Sequence, residues 1–272
     1  MMKPKIKIPD AVVEAYKKKK LVLFVGAGLS AMCGLPTWKQ LMLQFIKECE
    51  NHSCDGKQLR WLKAWHGKRE YARVAERCYQ ILPTDSFIGV LTKACKKKSN
   101  PGGLHKVITS LELPCLITTN YDQILERSYA QFKRTTVSVF THLPAQISVA
   151  NDEDGFYIFK IHGDIDRPET LIVTQSHYDG IMKNNKSLEL YLNAILFNHK
   201  LLFVGYSISD PDINYFLDFL KTKLGAYARS HFAIADGLGA KKKEDLRSRF
   251  NIITLPVKRN MIEKFFKQLA KS

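Results

Sequence analysis

A glycine-containing stretch, Gly26-Ala27-Gly28-Leu29-Ser30, directly follows the apolar run at residues 21–25. Glycines permit a tight turn and let the backbone approach a ligand, because no Cβ stands in the way. A turn of this kind between a buried strand and a helix presents backbone N–H groups to a phosphate. The dinucleotide fingerprint Gly-x-Gly-x-x-Gly is incomplete, since residue 31 is alanine. The stretch predicts a phosphate-binding turn and leaves open that the turn binds nothing.

Polar side chains follow three other apolar runs, in the segments Thr119-Asn120-Tyr121-Asp122, His162-Gly163-Asp164 and Gly205-Tyr206-Ser207. Each has a plain structural explanation, because Asn120 or Asp122 can cap a helix and a histidine can be satisfied within a turn. Four such endings in one chain nevertheless favour a shared site, since ligands of open parallel sheets bind beyond the carboxyl ends of the strands. A histidine in such a position has an ordinary pKa in the range where it can accept a proton near neutral pH.

Short apolar strands alternate with helical patterns along the chain. Strands are expected at residues 21–25, 115–119, 136–140, 156–160, 171–173, 201–204, 232–235 and 252–255. Helices are expected at residues 9–19, after Thr37, at 104–110 and 123–132, after Thr174, at 187–199, after Asp210, and at 240–250 and 260–270. Apolar strands without polar alternation are typical of a sheet that is covered on both faces. The sequence therefore predicts an α/β fold with a doubly wound, mostly parallel, Rossmann-like sheet.

Residues 51–100 differ from this alternation, because their apolar residues recur at helical spacing and no strand pattern occurs. We expect a small helical insertion or cap here, within a single domain that spans residues 1–272. The aromatic residues of this segment are expected to form its own core rather than a platform for stacking bases.

The chain is strongly basic, with 42 Lys and Arg residues against 26 Asp and Glu residues and a net charge of +16. Its lysine runs, at residues 17–20, 96–98 and 241–243, contain no interleaved aromatic residues. A solvated basic surface is therefore favoured over a nucleic-acid site, and an acidic protein partner stays open.

The six cysteines include no Cys-x-x-Cys pair, which argues against a ribbon-type zinc site. The basic run before residues 21–25 is too long, and the apolar run too short, for a secretion signal. No apolar run approaches the roughly 20 residues that a membrane span needs. We therefore expect a cytoplasmic protein with reduced thiols and no membrane association.

Together these motifs resemble those of the SIR2 (sirtuin-related) family. The matching segments occur in the family's order between about residues 20 and 236, and they are Gly26-Ala27-Gly28-Leu29-Ser30, Gly34-Leu35-Pro36-Thr37-Trp38, Thr118-Thr119-Asn120-Tyr121-Asp122, Ile161-His162-Gly163-Asp164 and Gly205-Tyr206-Ser207. The resemblance implies that NAD binds between a Rossmann-like domain and a smaller domain, and that the bond between nicotinamide and ribose is broken.

Carried over by position, the resemblance gives Asn120 and His162 the catalytic roles. Asn120 would orient the amide and water, and His162 would be the general base. The glycine stretch would hold the pyrophosphate, Asp122 would line the nicotinamide and ribose pocket, and Ser207 would support the adenosine. The full set implied to bind NAD is Gly26, Ala27, Gly28, Ser30, Thr37, Trp38, Thr119, Asp122, Gly163, Gly205, Tyr206 and Ser207.

Two departures narrow the function that the resemblance implies. No cysteine lies between Gly163 and Gly205, where deacylating sirtuins carry a four-cysteine zinc ribbon, and Pro36-Thr37-Trp38 replaces a charged pattern of many deacylases. Both features resemble the zinc-less bacterial branch that consumes NAD in anti-phage defence, by abortive infection. The expected activity is hydrolysis of NAD+, as a consumed substrate, to nicotinamide and ADP-ribose, with no metal. Protein deacylation, ADP-ribosylation and non-catalytic nucleotide sensing stay as alternatives.

Members of that branch commonly act as oligomers under the control of a sensor domain or protein. The resemblance therefore implies a homo- or hetero-oligomer with a separately encoded regulator, and the net charge of +16 would suit an acidic one.

Overall fold

The computed structural model describes residues 6–52, 54–97, 99–206 and 229–272. Its centre is a parallel sheet in which the described strands are ordered β3-β4-β2-β1-β5-β6-β7. The strands are β1 (Leu21–Val25), β2 (Cys115–Thr118), β3 (Ser138–Thr141), β4 (Tyr157–Lys160), β5 (Lys200–Val204), β6 (His231–Ile234) and β7 (Ile252–Leu255). The predicted α/β class with a parallel, doubly wound sheet is confirmed.

The sheet is wound outward from β1 in both directions. Val25, the last residue of β1, is in register with Thr118 of β2 and with Val204 of β5. Thr118 is in turn opposite Lys160 of β4. The carboxyl ends of these four strands are therefore level with each other, and the crevice between β1 and β5 lies where the strand order reverses.

Helices cover both faces of the sheet because successive side chains of each strand point to opposite sides. Leu21, Leu23 and Val25 pack against α1 (Asp10–Lys17), α7 (Gly103–Thr109), α8 (Ile124–Lys133) and a C-terminal helix, α13 (Ile262–Leu269). Val22 and Phe24 face the core formed with α9 (Pro144–Asp152), α11 (Lys186–Asn198) and α12 (Ala240–Phe250). Another helix, α10 (Gln175–Asn184), begins at the N-cap Thr174, as the sequence indicates.

A helical unit stands beside the carboxyl ends of the strands. It consists of α3 (Trp38–Asn51), α4 (Gly56–Gly67), α5 (Tyr71–Ile81) and α6 (Thr84–Cys95), which share a hydrophobic core. Thr37 caps α3 with a capping box, as expected, because its hydroxyl accepts the N–H of Gln40 and the Gln40 side chain accepts the N–H of Thr37. Since α3 contributes to the same core, the helical unit begins before residue 51. The assignment of an insertion at 51–100 within a single domain stays a prediction.

The prediction of a strand at residues 171–173 is wrong. A short 3-10 helix (Pro168–Thr170) precedes this segment, which then runs as a buried loop. Its polar groups are satisfied outside the sheet, since Ile172 N–H donates to the carbonyl of His162 and Ile172 carbonyl accepts from the Tyr121 hydroxyl. The sequence also missed α9. The helix predicted after Asp210 lies outside the described residues.

Candidate active site

The glycine stretch leads from β1 directly into a short helix, α2 (Ala27–Ala31), without an intervening loop. Gly26 N–H donates to Val204 carbonyl at 2.9 Å, and Gly28 N–H donates to Gly205 carbonyl at 2.7 Å. A Cβ at Gly28 would lie 2.6 Å from that same Gly205 oxygen. These two amides therefore hold the stretch against β5, and binding of a phosphate by the stretch stays a prediction.

The side-chain amide of Asn120 is fixed at the carboxyl end of β2. Its Nδ2 donates to Gly26 carbonyl at 3.2 Å and to Ser30 Oγ at 2.9 Å. The Thr118 hydroxyl donates to Val25 carbonyl at 2.8 Å and accepts Asn120 N–H at 3.0 Å. With the nitrogen end occupied, the oxygen Oδ1 is left as a buried acceptor that has no partner among the described residues.

Asp122 lies two residues before α8, whose N-cap is Gln123. Its Oδ1 accepts Ile124 N–H, the first amide of that helix, at 2.9 Å. The side chain is also buried and lines the same cavity as Asn120. With one oxygen bonded in this way, the second carboxylate oxygen has no hydrogen bond in the described part of the chain.

His162 lies just beyond β4 and is oriented by packing. Gly163 turns the chain away with φ +88°, and a Cβ at Gly163 would lie 2.1 Å from Thr170 carbonyl. The imidazole meets the ring of Tyr178 edge-on, with 5.0 Å between the ring centroids. Burial, with a smaller contribution from His142, lowers the pKa of His162 to about 3. The imidazole is therefore neutral well below neutral pH, which corrects the expectation that it titrates near neutrality.

A cavity lies between the sheet and the helical unit, and we call it the Asn120–His162 cavity. The sequence-predicted residues that line it are Ala27, Ser30, Trp38, Thr119, Asn120, Asp122, His162 and Tyr206. The indole Nε1 of Trp38 is a buried donor with no partner among the described residues. Two residues that line the cavity thus carry a buried polar atom with no partner among the described residues, Trp38 Nε1 and Asn120 Oδ1.

A second cavity of about 430 Å³, the Gly28–Asp236 cavity, lies on the other side of the glycine stretch. The predicted residues Gly28, Thr37, Gly205 and Tyr206 line it. Tyr206 belongs to both cavities, and its hydroxyl donates to Val25 carbonyl at 3.1 Å and lies 3.0 Å from Thr119 Oγ1.

Some predicted residues do not line either cavity, and some lining residues were missed. Gly26 and Gly163 shape the backbone beneath the site, and Ser207 lies outside the described residues. The sequence analysis missed Cys95 in the first cavity and Asp236 and Arg259 in the second. Asp236 could have been found by the same reasoning as Asn120, because it follows directly after the end of a predicted strand.

Within the described ranges, no group of three or more His, Cys, Asp or Glu side chains could hold a metal ion. None of the helices in those ranges is both long and apolar enough to cross a bilayer.

Comparison with known proteins identifies relatives along most of the chain. Defense-associated sirtuin 2 of Bacillus subtilis is 27% identical over 215 residues, which cover 77% of this chain and 20% of that protein. NAD(+) hydrolase ThsA of Cytobacillus dafuensis is 25% identical over 222 residues, which cover 81% of this chain and 42% of that protein. The chain thus spans less than half the length of either relative.

Solved structures of Sir2 homologues also align with the fold. A crystal structure of a Sir2 homologue in complex with NAD matches with 13% sequence identity and a TM-score of 0.43, over 98% of this chain and 95% of the other. The sequence model of the SIR2-like domain matches residues 114–255, more than half of the chain, a range that includes Asn120, Asp122 and His162. The chain belongs to the SIR2-like domain family.

Proposed function

We propose that this domain hydrolyses NAD+ to nicotinamide and ADP-ribose. The observation that carries the proposal is the Asn120 amide, beside a cavity that His162 also lines. Its nitrogen is fixed by Gly26 and Ser30, while its oxygen has no partner among the residues that the structure describes. Relatives named NAD(+) hydrolase ThsA, to which most of the chain aligns, support the same activity.

The two cavities suit the two ends of a dinucleotide. We place the nicotinamide and its ribose in the Asn120–His162 cavity, where Trp38 Nε1 can donate to the carboxamide and Asp122 can accept from it. The adenosine then occupies the Gly28–Asp236 cavity, where the Asp236 carboxylate can accept from ribose hydroxyls. Tyr206 borders both cavities, so a single molecule that runs past the glycine stretch can extend from one cavity into the other.

The chemistry requires little acid assistance, because nicotinamide leaves as a neutral base from a cationic ring. Asn120 Oδ1 accepts a hydrogen bond from water and holds the water oxygen toward C1′ of the ribose. As the new C1′–O bond forms, the C1′–N bond breaks and its electron pair stays on the nicotinamide nitrogen. His162 accepts the proton that the water loses and returns it to solvent. Since its pKa is lowered, His162 is uncharged when NAD+ arrives and does not repel the cationic ring.

The test is direct assay of the purified protein with NAD+, with and without the product of the neighbouring gene, followed by quantification of free nicotinamide. We expect release without any peptide, and we expect N120A and H162A each to lose about 100-fold or more of kcat, as removal of an oriented catalytic group does. N198A is the control, because Asn198 is exposed and, within the described part of the chain, its side chain bonds only the Ala194 carbonyl of its own helix.

Each other result points to a different function. Nicotinamide release that needs an acyl-lysine peptide would indicate a deacylase, and transfer of label from NAD to protein would indicate an ADP-ribosyltransferase. Binding of NAD without release would indicate a nucleotide sensor. Full activity of H162A would show that His162 is not the general base.

The biological setting is part of the same proposal. We infer an NAD-depleting effector of anti-phage defence that acts in the cytoplasm as an oligomer and is controlled by a separately encoded, acidic regulator. The relative named defense-associated sirtuin 2 and the net charge of +16 support this setting. Because we propose that catalysis needs no zinc, activity should survive treatment with a chelator.

A further inference from the structure

Lys160, the last residue of β4, has a completely buried side chain at the base of the site. Its Nζ donates to Asp122 carbonyl at 2.7 Å, to Tyr121 carbonyl at 3.3 Å and to Asp164 Oδ2 at 3.0 Å. Glu126 Oε1 lies 2.6 Å from the same nitrogen. Four oxygens from three different elements therefore converge on one ammonium group.

This ammonium group stays charged despite its burial. Burial alone would lower the pKa of Lys160, but the carboxylates of Glu126 and Asp164 outweigh that effect and raise the pKa above its ordinary value. A buried cation is retained in a protein when paired charges and hydrogen bonds replace its lost hydration. The three N–H donors of the lysine have enough acceptors here to do so.

Three of the four oxygens belong to the two segments that carry the proposed catalytic groups. Tyr121 and Asp122 follow Asn120 at the end of β2, and Asp164 follows His162 at the end of β4. Lys160 itself is two residues from His162. Its hydrogen bonds thus join the backbone after Asn120 to the turn after His162, while its side chain does not line the Asn120–His162 cavity.

An ordinary buried ion pair would have a simpler arrangement. Glu126 or Asp164 alone would balance the charge of Lys160, and neither would require two backbone carbonyls of the Asn120 segment. Those two carbonyls have no charge to neutralise, so their convergence on Nζ constrains the path of the backbone. The hydrogen bonds of Lys160 therefore do more than neutralise two carboxylates, because they also hold the backbone after Asn120 in place.

We propose that Lys160 is a positioning residue that sets the distance and orientation between the Asn120 amide and the His162 imidazole across the cavity. This inference rests on the proposed function, because the proposed hydrolysis of NAD+ uses Asn120 and His162 in the same reaction. It adds a residue that does not contact NAD but determines how well Asn120 and His162 cooperate.

The test compares K160R and K160M with E126Q. K160R keeps the charge, but a planar guanidinium cannot direct its donors at the four oxygens that surround Nζ. We expect kcat to fall about 100-fold in K160R, as a displacement of about 1 Å can cause, with KM for NAD+ close to wild type. E126Q keeps every hydrogen bond from Lys160 to the Asn120 and His162 segments, so its kcat should stay near that of the wild type.

A purely structural role gives a different pattern. If K160R and E126Q lose kcat in proportion to their loss of thermal stability, or if KM rises while kcat is unchanged, the proposal is overturned. Should K160M fail to fold, the comparison of K160R with E126Q decides alone.

A second measurement separates this inference from the proposed function. Hydrogen exchange of the backbone amides at residues 119–124 and 162–167 should be faster in K160R than in the wild type, and unchanged in E126Q. Unchanged exchange in K160R overturns the positioning role even if the wild type hydrolyses NAD+. If the wild type fails to hydrolyse NAD+, the proposed function fails, and the exchange result still supports or overturns the link between the two segments.

Discussion

The unusual property of His162 is that it is held neutral rather than poised near its ordinary pKa. The side chain is 4% exposed, its ring packs on Tyr178, and its pKa is about 3. A neutral imidazole is ready to accept a proton at every physiological pH, although it is a weaker base than a solvated one. Protonation of His162 therefore does not lower the rate of the proposed reaction when the pH falls within the neutral range.

The pH profile of NAD+ hydrolysis tests this view of His162. A base with the ordinary histidine pKa of about 6.5 would cost about fourfold in kcat/KM between about pH 8 and pH 6, as its neutral fraction fell. Because the pKa of His162 is lowered, we expect kcat/KM to be flat over this range. Initial rates in overlapping buffers, with circular dichroism to confirm folding, give the answer. A decline with an apparent pKa near 6.5 would show that His162 is solvated during turnover or that another group is the base.

At the scale of elements, the contact between the glycine stretch and the end of β5 determines where Asn120 points. Gly205 has φ +75° and its carbonyl accepts Gly28 N–H, while Gly26 carbonyl and Ser30 Oγ accept from Asn120. A methyl group at Gly28 would meet the Gly205 oxygen at 2.6 Å and would have to displace the stretch.

We therefore expect G28A to lower kcat at least about tenfold through a misdirected Asn120 amide. The matched control is G89A, because Gly89 lies inside α6 and a Cβ there would meet no atom within 4 Å. Alanine at that helical position should leave kcat unchanged and stabilise the protein by about 0.5–1 kcal/mol. Steady-state kinetics and thermal unfolding of both variants provide the comparison. Wild-type kcat in G28A would mean that Asn120 is held without the glycine stretch.

Much of this arrangement follows from the sequence, because strand ends are recognisable where an apolar run stops at polar residues. That logic predicted that Asn120 and His162 meet at one edge of the sheet, and both line one cavity just beyond the adjacent strands β2 and β4. It failed for residues 171–173, since an apolar run that is buried beneath the helical unit has the same composition as a buried strand. It also missed α9, whose apolar residues recur only weakly at helical spacing.

The supporting residues could not be recognised from the sequence because their importance arises from contacts between distant segments. Lys160 is one of many lysines in a basic chain, and only the fold reveals that it is buried beside Glu126 and Asp164. Arg259 reaches the second cavity from beyond β7, at the far edge of the sheet from β4. Sequence therefore predicts which residues end the strands, whereas packing determines which side chains hold them.

At the scale of the whole molecule, four histidines of the described residues are buried in the neutral state. Burial lowers their pKa values to about 4 for His105, His142 and His231 and to about 3 for His162. The unfolded chain binds protons at these positions below about pH 6.5, whereas the folded chain does not until about pH 4. Folding stability is therefore complete above pH 6.5 and is lost as the pH falls toward 4.

We expect the free energy of unfolding to decrease on acidification in this window, by up to about 1.4 kcal/mol per pH unit for each such histidine. Urea denaturation at a series of pH values measures this slope. H231N should reduce this slope by the contribution of about one bound proton, since asparagine does not titrate. Asparagine can still accept the Leu201 N–H that now bonds His231 Nδ1 at 3.1 Å. An unchanged slope in H231N would mean that His231 is protonated in the folded protein.

The position of β1 at the centre of the sheet has a consequence for biosynthesis. Its neighbours are β2 and β5, so the backbone of Val25 is paired on both sides only after the segments that contain Thr118 and Val204 have been synthesised. Contacts this distant along the chain form late and make folding slow. The glycine stretch cannot assume its final form until Gly205 has been synthesised and has left the ribosome, because Gly205 carbonyl holds Gly28 N–H. A nascent or truncated chain that stops short of β5 thus lacks the contact that fixes the glycine stretch, and any activity that depends on this stretch can begin only after most of the domain has been translated.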